Sequence, residues 1–406
     1  MTFKQTPLNE FITLQRGFDL PKGDRVEGDI PVVASTGVGG YHNESKVKAP
    51  GVVIGRSGSI GGGQYITDDF WPLNTTLWIK DFKGHDPRYV YYLMRSIDFT
   101  KFNVGSGVPT LNRNHLSSLL VNELGVGKEK CIAKYLGDID DKIDLNTEVN
   151  QNFELMAQAI FKSWFVDFDP VKAKMNNEQP EGMDVATASL FPEKLVETEL
   201  GLIPEGWEVT KLSKVIDLLN GFAFKSPDYV KEGTFVLRTK NFDSSNSVER
   251  LGDDVYLPDE FLESHKKYLC EAYDYHVVMV AASIGKTGMI YPHQLPALRN
   301  QNMWCFRPKN ESLRFYTKYM VDGLVKLNMG LASGSARAFF KKGDFNSYEF
   351  ALPSSELLTK FNDVVGNLVK QKGSLLNQNV QLAAMRDTLL PKLLSGEIEL
   401  DKVLDV

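Results

Sequence analysis

Two stretches of the chain carry the apolar spacing of long helices. Ile132, Leu136, Ile139, Ile143, Asn146, Asn150, Phe153, Ala157 and Ile160 follow alternating steps of four and three. Phe361, Val364, Leu368, Gln371, Leu375, Gln378, Leu382, Met385 and Leu389 do the same. Sustained over about four heptads, that spacing defines a coiled-coil seam, although a helix lying on a globular core can imitate it. Both seams carry two amides near the middle. Buried amides select one register and orientation at some cost in stability, so the pattern predicts that the two helices pair with each other, antiparallel. The segment before each helix reads differently. Short Val/Ile/Phe/Tyr/Trp-rich runs, broken by Gly, Pro, Asn and Asp, predict strands and turns.

The alternation of these two textures is an internal repeat. In "VVIGRSGSIGGG" (52–63) and "VVMVAASIGKTG" (277–288), an apolar run leads into Ser-Ile-Gly, with Ser59, Ile60 and Gly61 recurring 224 positions later. Asn74 and Trp78 match Asn300 and Trp304 at 226, and Ser106-Gly107 matches Ser333-Gly334 at 227. Asn150-Gln151-Asn152 matches Asn377-Gln378-Asn379, also at 227, and "LQRGF" (14–18) resembles "LLNGF" (218–222) at 204. The chain is two diverged copies of one module. The expected fold class is α+β: two β-rich globular domains separated by two long helices, with pseudo-two-fold internal symmetry. The blocks run 1–127, 128–199, 200–352 and 353–406.

Charge changes this picture little. The net charge of −6 is carried mainly by 128–199, which holds −7, whereas the β-rich blocks hold +1 each and the last block −1. A protein that grips nucleic acid alone usually presents a basic face. A DNA-binding role here would leave much of the phosphate-neutralising charge to a partner. Cys131, Cys270 and Cys305 are too scattered to suggest disulfides or zinc. The start "MTFKQTPLNEF" is not that of a signal peptide, and no apolar run is long enough to span a membrane, so a cytoplasmic location without membrane contact is expected.

Catalytic patterns are missing. Gly285-Lys286-Thr287 could close a phosphate-binding loop, but the position five residues before Gly285 is Val280, and the first copy has no such lysine. A P-loop-like nucleotide-binding enzyme is therefore disfavoured. No glycine-rich dinucleotide fingerprint, no HExxH and no Asn-Pro-Pro-aromatic tetrapeptide occurs. The acid pairs Asp140-Asp141 and Asp253-Asp254 read as solvated faces rather than metal sites.

What remains is a set of polar loops in equivalent places. Arg, Lys, Asn, Gln, Ser and Thr hydrogen-bond base edges and phosphates, and glycine allows a close backbone approach. In the first copy the candidates are Tyr41, His42, Asn43, Arg56, Ser57, Ser59, Asn74, Thr75, Ser106, Thr110, Asn112, Arg113 and Asn114. In the second they are Arg238, Lys240, Asn241, Ser283, Lys286, Thr287, Arg299, Asn300, Gln301, Asn302, Ser335, Arg337, Lys341 and Lys342. Surface loops are polar in any protein, and a coiled-coil scaffold whose two β-rich domains bind sugars or peptides would look similar.

"AIFKSWFVDFDPV" (159–171), "GLIPEGWEV" (201–209) and "LLPKLLSGEIEL" (389–400) resemble the boundary motifs of specificity subunits of type I restriction–modification systems. "FWPLNTTLWI" and "GSGVPTLNRNHL" resemble their target-recognition domains, and the resemblance spans nearly the whole chain. The family's Pro-Leu-Pro-like entry to the helix appears as Ala351-Leu352-Pro353 in the second copy but as "VNELGVG" in the first. The resemblance implies a target-recognition domain over 1–127, a conserved helix and linker over 128–199, a second recognition domain over 200–352, and a second conserved helix and tail over 353–406. It also implies a non-catalytic subunit in which each domain reads half of a bipartite, asymmetric site on double-stranded DNA. Two adenine methyltransferase subunits would dock on the helices, bringing S-adenosylmethionine, and two translocase–nuclease subunits using ATP and Mg could join them. No cofactor is then expected in this chain. The seam helices, roughly 35 residues and on the order of 50 Å long, would act as a ruler between half-sites. Phe161, Trp164, Phe165, Leu389, Leu390 and Leu393 are the expected partner-facing residues, unless they only seal the helices to the domains.

Overall fold

The structure, a computed structural model, describes residues 3–243, 245–332 and 340–398. It divides into two compact units, Met1–Leu145 with Gln378–Val406 (unit 1) and Asn146–Asn377 (unit 2). The two long helices, Val126–Phe165 and Ser355–Ser395, each give one half to each unit. Ala351-Leu352-Pro353 and "VNELGVG" are matched in position, since each runs from the end of a strand, Glu349–Leu352 or Leu120–Glu123, toward a long helix.

In unit 1, β1 (Thr13–Arg16), β2 (Gly51–Gly55), β3 (Gly61–Ile66) and β4 (Thr76–Asp81) form an antiparallel sheet in the order β1-β4-β2-β3. In unit 2, β5 (Ile216–Asn220), β6 (Tyr275–Val278), β7 (Thr287–Met289) and β8 (Met303–Pro308) repeat it as β5-β8-β6-β7. The smaller sheets repeat as well. Ile30–Ala34 pairs antiparallel with Gly37–His42 and parallel with Trp71–Pro72; Thr234–Leu237 pairs antiparallel with Tyr256–Leu257 and parallel with Ala297–Arg299. Lys4–Pro7 lies against Leu120–Glu123, and Glu208–Lys211 against Glu349–Leu352. Apart from the hairpin Leu195–Thr198/Gly201–Pro204 that unit 2 carries in addition, the repeat is one of backbone, strand for strand.

Close approach fixes its register. A Cβ on Gly17 would lie 2.1 Å from the Leu73 carbonyl oxygen, and one on Gly221 would lie 1.7 Å from that of Asn300, so only glycine fits either place. With Gly17 and Gly221 superposed, Arg16 faces Leu77 and Asn220 faces Trp304. The structural offset is therefore 227 here. The Trp78–Trp304 match seen in the sequence is one residue out of step, and Trp304 takes the place of Leu77.

Each sheet buries one face under a helix. In unit 1 this is α1 (Pro87–Ser96), whose Asp86 cap accepts from the backbone N–H groups of Arg88 (2.9 Å) and Tyr89 (3.0 Å). In unit 2 it is α2 (Arg314–Ala332), which buries Phe315, Tyr316, Tyr319, Met320, Val321 and Leu324.

Within each unit the long helices run antiparallel. In unit 1, Arg386 donates to Asp140 at 2.6 Å and Asn379 to the Ile143 carbonyl at 3.4 Å. In unit 2, Lys372 meets Glu154 at 3.0 Å, and the rings of Phe165 and Phe361 lie 4.9 Å apart. Residue numbers rise on one helix as they fall on the other, as the seams predicted. The first seam is placed as expected, with Asn146 and Asn150 buried. The second is rotated by about one residue: Gln371 is exposed, and Phe361, Val365, Val369 and Lys372 face inward. The reason is that this helix also covers the aromatic core built around α2, which pulls its buried stripe away from strict heptads.

The polar centre of unit 2 is a carboxylate between two buried ammonium groups. Glu154 lies 2.5 Å from Lys318 and 3.0 Å from Lys372, and the two lysines are 1 % and 3 % exposed. Burial pushes the Glu154 carboxyl up, but the two lysines outweigh it and hold it at about 2. Glu154→Gln should cost about 3–5 kcal/mol, because it leaves buried cations without their anion. The depressed pKa fixes the sign of the pH effect: this stabilisation is present above about 4.5 and disappears as pH falls toward 2. Denaturant unfolding of the wild type should therefore lose stability across that window faster than Glu154→Gln, and parallel acid limbs would refute the assignment.

Candidate nucleic-acid interface

In unit 1 three loops meet at one end of the four-stranded sheet. Arg56 donates its backbone N–H to the Thr75 carbonyl (2.8 Å) and its own carbonyl accepts from Leu111 (2.8 Å). Gly58 donates to Pro109 (3.0 Å), and Ser57 bridges to Thr110. Asn103 stiffens the third loop, its Oδ1 accepting from Gly105 and Thr110, each at 2.9 Å. The candidates Arg56, Ser57, Ser59, Asn74, Thr75, Ser106, Thr110, Asn112, Arg113 and Asn114 are thus brought together from positions up to 58 residues apart. Beside them is a cavity of about 570 Å³ lined by Gln15, Arg16, Arg56, Thr110, Asn112 and Arg113 over Leu77, Val104 and Leu111. No carboxylate lines it, and among the described residues Arg16, Arg56 and Arg113 form no ion pair. Arg16 was not among the sequence candidates; its signal was its place beside Gly17 in the repeated "LQRGF".

Three first-copy candidates lie elsewhere, on or just after the Gly37–His42 strand. Tyr41 and Asn43 are exposed. His42 is 6 % exposed, accepts from the Val26 N–H at 3.1 Å and packs edge-on against Trp71. It is a structural histidine here.

In unit 2 the Gly-Lys-Thr stretch is a hairpin. Gly285 (φ +80°) donates to the Val278 carbonyl at 2.9 Å, and β6 and β7 run on either side. A phosphate-binding P-loop leads from a strand into a helix; this turn joins two antiparallel strands, as the 56–60 turn does in unit 1. Lys286, Gln301, Asn302 and Lys341 are exposed on this side of the unit, and Ser283, Asn300 and Lys342 are half-buried. Asn302 holds a positive φ of 72°.

Several second-copy candidates are already engaged inside the unit. Arg299 is 1 % exposed and donates to the carbonyls of Asn220 (2.9 Å), Leu269 (2.7 Å) and Lys267. Asn241 is fully buried, bonding the Arg238 N–H, the Glu249 carbonyl and Asp254. Arg238 and Lys240 both donate to the Asp253 carbonyl at 2.9 Å, and Thr287 is buried in β7. Ser335 and Arg337 lie outside the described residues.

The acid pairs are engaged as well. Asp140 accepts from Tyr92, Asp141 from Arg88, and Asp253 and Asp254 pair with Lys240 and Arg250. The fold does gather Asp274, His276 and Cys305, whose donor atoms lie within 4.8 Å, a cluster the linear spacing hid. Asp274, however, accepts from Arg307 at 2.9 Å, Arg314 at 3.3 Å and the Glu271 N–H at 2.8 Å. Burial lowers His276 to about 4 and pushes the Cys305 thiol well above its usual range, so the cluster is a neutral histidine and protonated thiol beside an ion pair. Two guanidiniums already occupy the place a cation would take.

A family model described as "Type I restriction modification DNA specificity domain" matches residues 2–155 and 204–364, covering both repeats. The chain belongs to this family. It is 29 % identical over 361 residues to the type I restriction enzyme HindI specificity subunit of Haemophilus influenzae, covering 77 % of each chain. It is 22 % identical to the MjaIX specificity subunit of Methanocaldococcus jannaschii, over 82 % of this chain and 74 % of that one. The fold is that of the S subunit of a type I restriction–modification system from M. genitalium, with a TM-score of 0.56, 14 % identity, and 97 % and 96 % of the chains covered. Its role is DNA sequence specificity.

Burial separates framework from interface candidates. Arg299→Ala should leave three carbonyls unsatisfied and destabilise the protein by at least about 3 kcal/mol. Lys286→Ala should stay within about 0.5 kcal/mol of wild type. Thermal unfolding of the two variants checks this, and a well-folded Arg299→Ala would refute the framework role.

Proposed function

We propose that this chain is the non-catalytic, DNA-reading subunit of a type I restriction–modification complex, in which each unit reads one half of a bipartite, asymmetric site on double-stranded DNA. The observation that carries this reading is the module repeated strand for strand, with its polar loops gathered at the equivalent end each time. Two similar readers bearing different loop side chains suit two different half-sites. Bases are read by side-chain hydrogen bonds and backbone phosphates by cations; the loops offer both. The continuous long helices would set the spacer. In a cytoplasmic complex, two adenine methyltransferase subunits would bring the S-adenosylmethionine chemistry, and ATP and Mg would belong to translocase–nuclease subunits where these are present.

The docking surface is proposed on different residues from those first expected. Trp164 and Phe165 are 7 % and 8 % exposed and pack against Phe361; Leu390 and Leu393 are buried in unit 1, and Phe161 and Leu389 are half-buried. They serve the chain's own cores. Leu155 and Met156 on the first long helix are 62 % and 51 % exposed, as is Val380, at 54 %, on the second. Leu155→Gln with Met156→Gln should leave the unfolding temperature unchanged and reduce copurification of the methyltransferase; full recovery would place docking elsewhere.

The central test is modularity. Replacing 1–127 with the same region of a relative should change one half of the adenine-methylated sequence and leave the other half intact. Genome-wide methylation mapping reads this directly, and a change in both halves or in neither would refute independent reading.

A further inference from the structure

We infer that the cavity of Arg16, Arg56 and Arg113 in unit 1 is a clamp for the phosphodiester backbone of duplex DNA, and that unit 2 lacks it at the equivalent positions. This deepens, and rests on, the DNA-reading role proposed above.

The argument starts from charge. Three guanidiniums line one concavity of about 570 Å³ with no carboxylate among the lining residues. Arg16 and Arg113 are exposed, and Arg56 is half-buried, with only a long 3.4 Å contact from Nη1 to the Asn74 carbonyl. Like charges held together repel, and an uncharged ligand would not offset that repulsion. A single arginine lying bidentate on a guanine edge needs no second cation beside it. Three arginines around one hollow suit a ligand with net negative charge and several acceptor oxygens, which guanidiniums bind in a forked geometry. The buried floor of Leu77 and Leu111 keeps water from beneath that ligand.

Backbone hydrogen bonds identify the counterparts in unit 2. Gly17 and Gly221 place Asn220 where Arg16 stands. Arg56 donates to Thr75 and accepts from Leu111; Met279 donates to Asn302 and accepts from Phe340 in the same pattern. Arg113 opens the short helix Arg113–Leu116 and Lys342 opens Lys342–Asn346, each just before the strand leading to a long helix. Asn220 and Met279 carry no charge. Lys342 turns back to donate to the Leu218 carbonyl at 2.6 Å.

The test uses the full chain in complex with its methyltransferase and a random-sequence duplex, so that only sequence-independent binding is read. The slope of log binding constant against log salt counts phosphate contacts, at about 0.9 per contact. Arg16→Gln and Arg113→Gln, both at exposed positions, should each flatten the slope by about 0.9, and together by about 2. Arg56→Lys should keep the wild-type slope, and so should Lys342→Gln. Glutamine variants that retain the wild-type slope would overturn the clamp. So would variants that relax one base of the methylated sequence without changing the slope, which is the signature of a guanine reader. A wild-type complex that fails to bind any duplex would instead sink the DNA-reading role, and the clamp with it.

Discussion

Glu154 held between Lys318 and Lys372 is the contact on which unit 2 is organised. A charge leaves water only if others meet it, and once buried it demands them in one geometry. The carboxylate comes from the first long helix and its lysines from α2 and the second long helix, so one buried anion fixes three helices together. Lys372 also donates to the Ser245 carbonyl at 3.0 Å, which ties in the loop that follows Asp243.

Unit 1 uses the same logic with different residues. Asp140 on the first long helix accepts from Tyr92 of α1 and from Arg386 of the second, each at 2.6 Å. In both units the acid is on the first helix and the base on the second, at an interval of two heptads along each helix. That polarity suits pairing of unlike helices and opposes pairing of like ones. It also accounts for part of the acidity of 128–199, since Asp140 and Glu154 face cations of the second helix.

The two readers share a scaffold and differ in side chains. Backbone hydrogen bonds hold the loops of both units in the same positions, so the side chains can change without moving them. Unit 1 leaves three arginines without carboxylates, whereas unit 2 turns Arg238, Arg299 and Lys342 inward onto carbonyls. At the one equivalent pair where both units carry a cation, Arg113 stays exposed while Lys342 bonds the Leu218 carbonyl, so the fate of the charge is decided by whether a backbone acceptor lies within reach.

The sequence alone was enough to establish what depends on local or repeated pattern. Heptad steps gave the two helices and their pairing, matched motifs gave the duplication, and the boundary motifs gave the family. The candidate loops of the first copy were largely legible too, because Gly-rich polar turns after apolar runs mark where a sheet ends. Tertiary structure decided what depends on distance. It buried Trp164 and Phe165, which look like sticky surface in sequence, because the aromatic core around α2 needed them. It turned His42, Asn241 and Arg299 into framework and brought Arg16 beside Arg56 and Arg113. It replaced Gln371 by Lys372 on the seam and showed Gly-Lys-Thr to be a hairpin. A residue's type says which bonds it can make; which of them it makes is set by the groups that folding brings within about 3 Å of it.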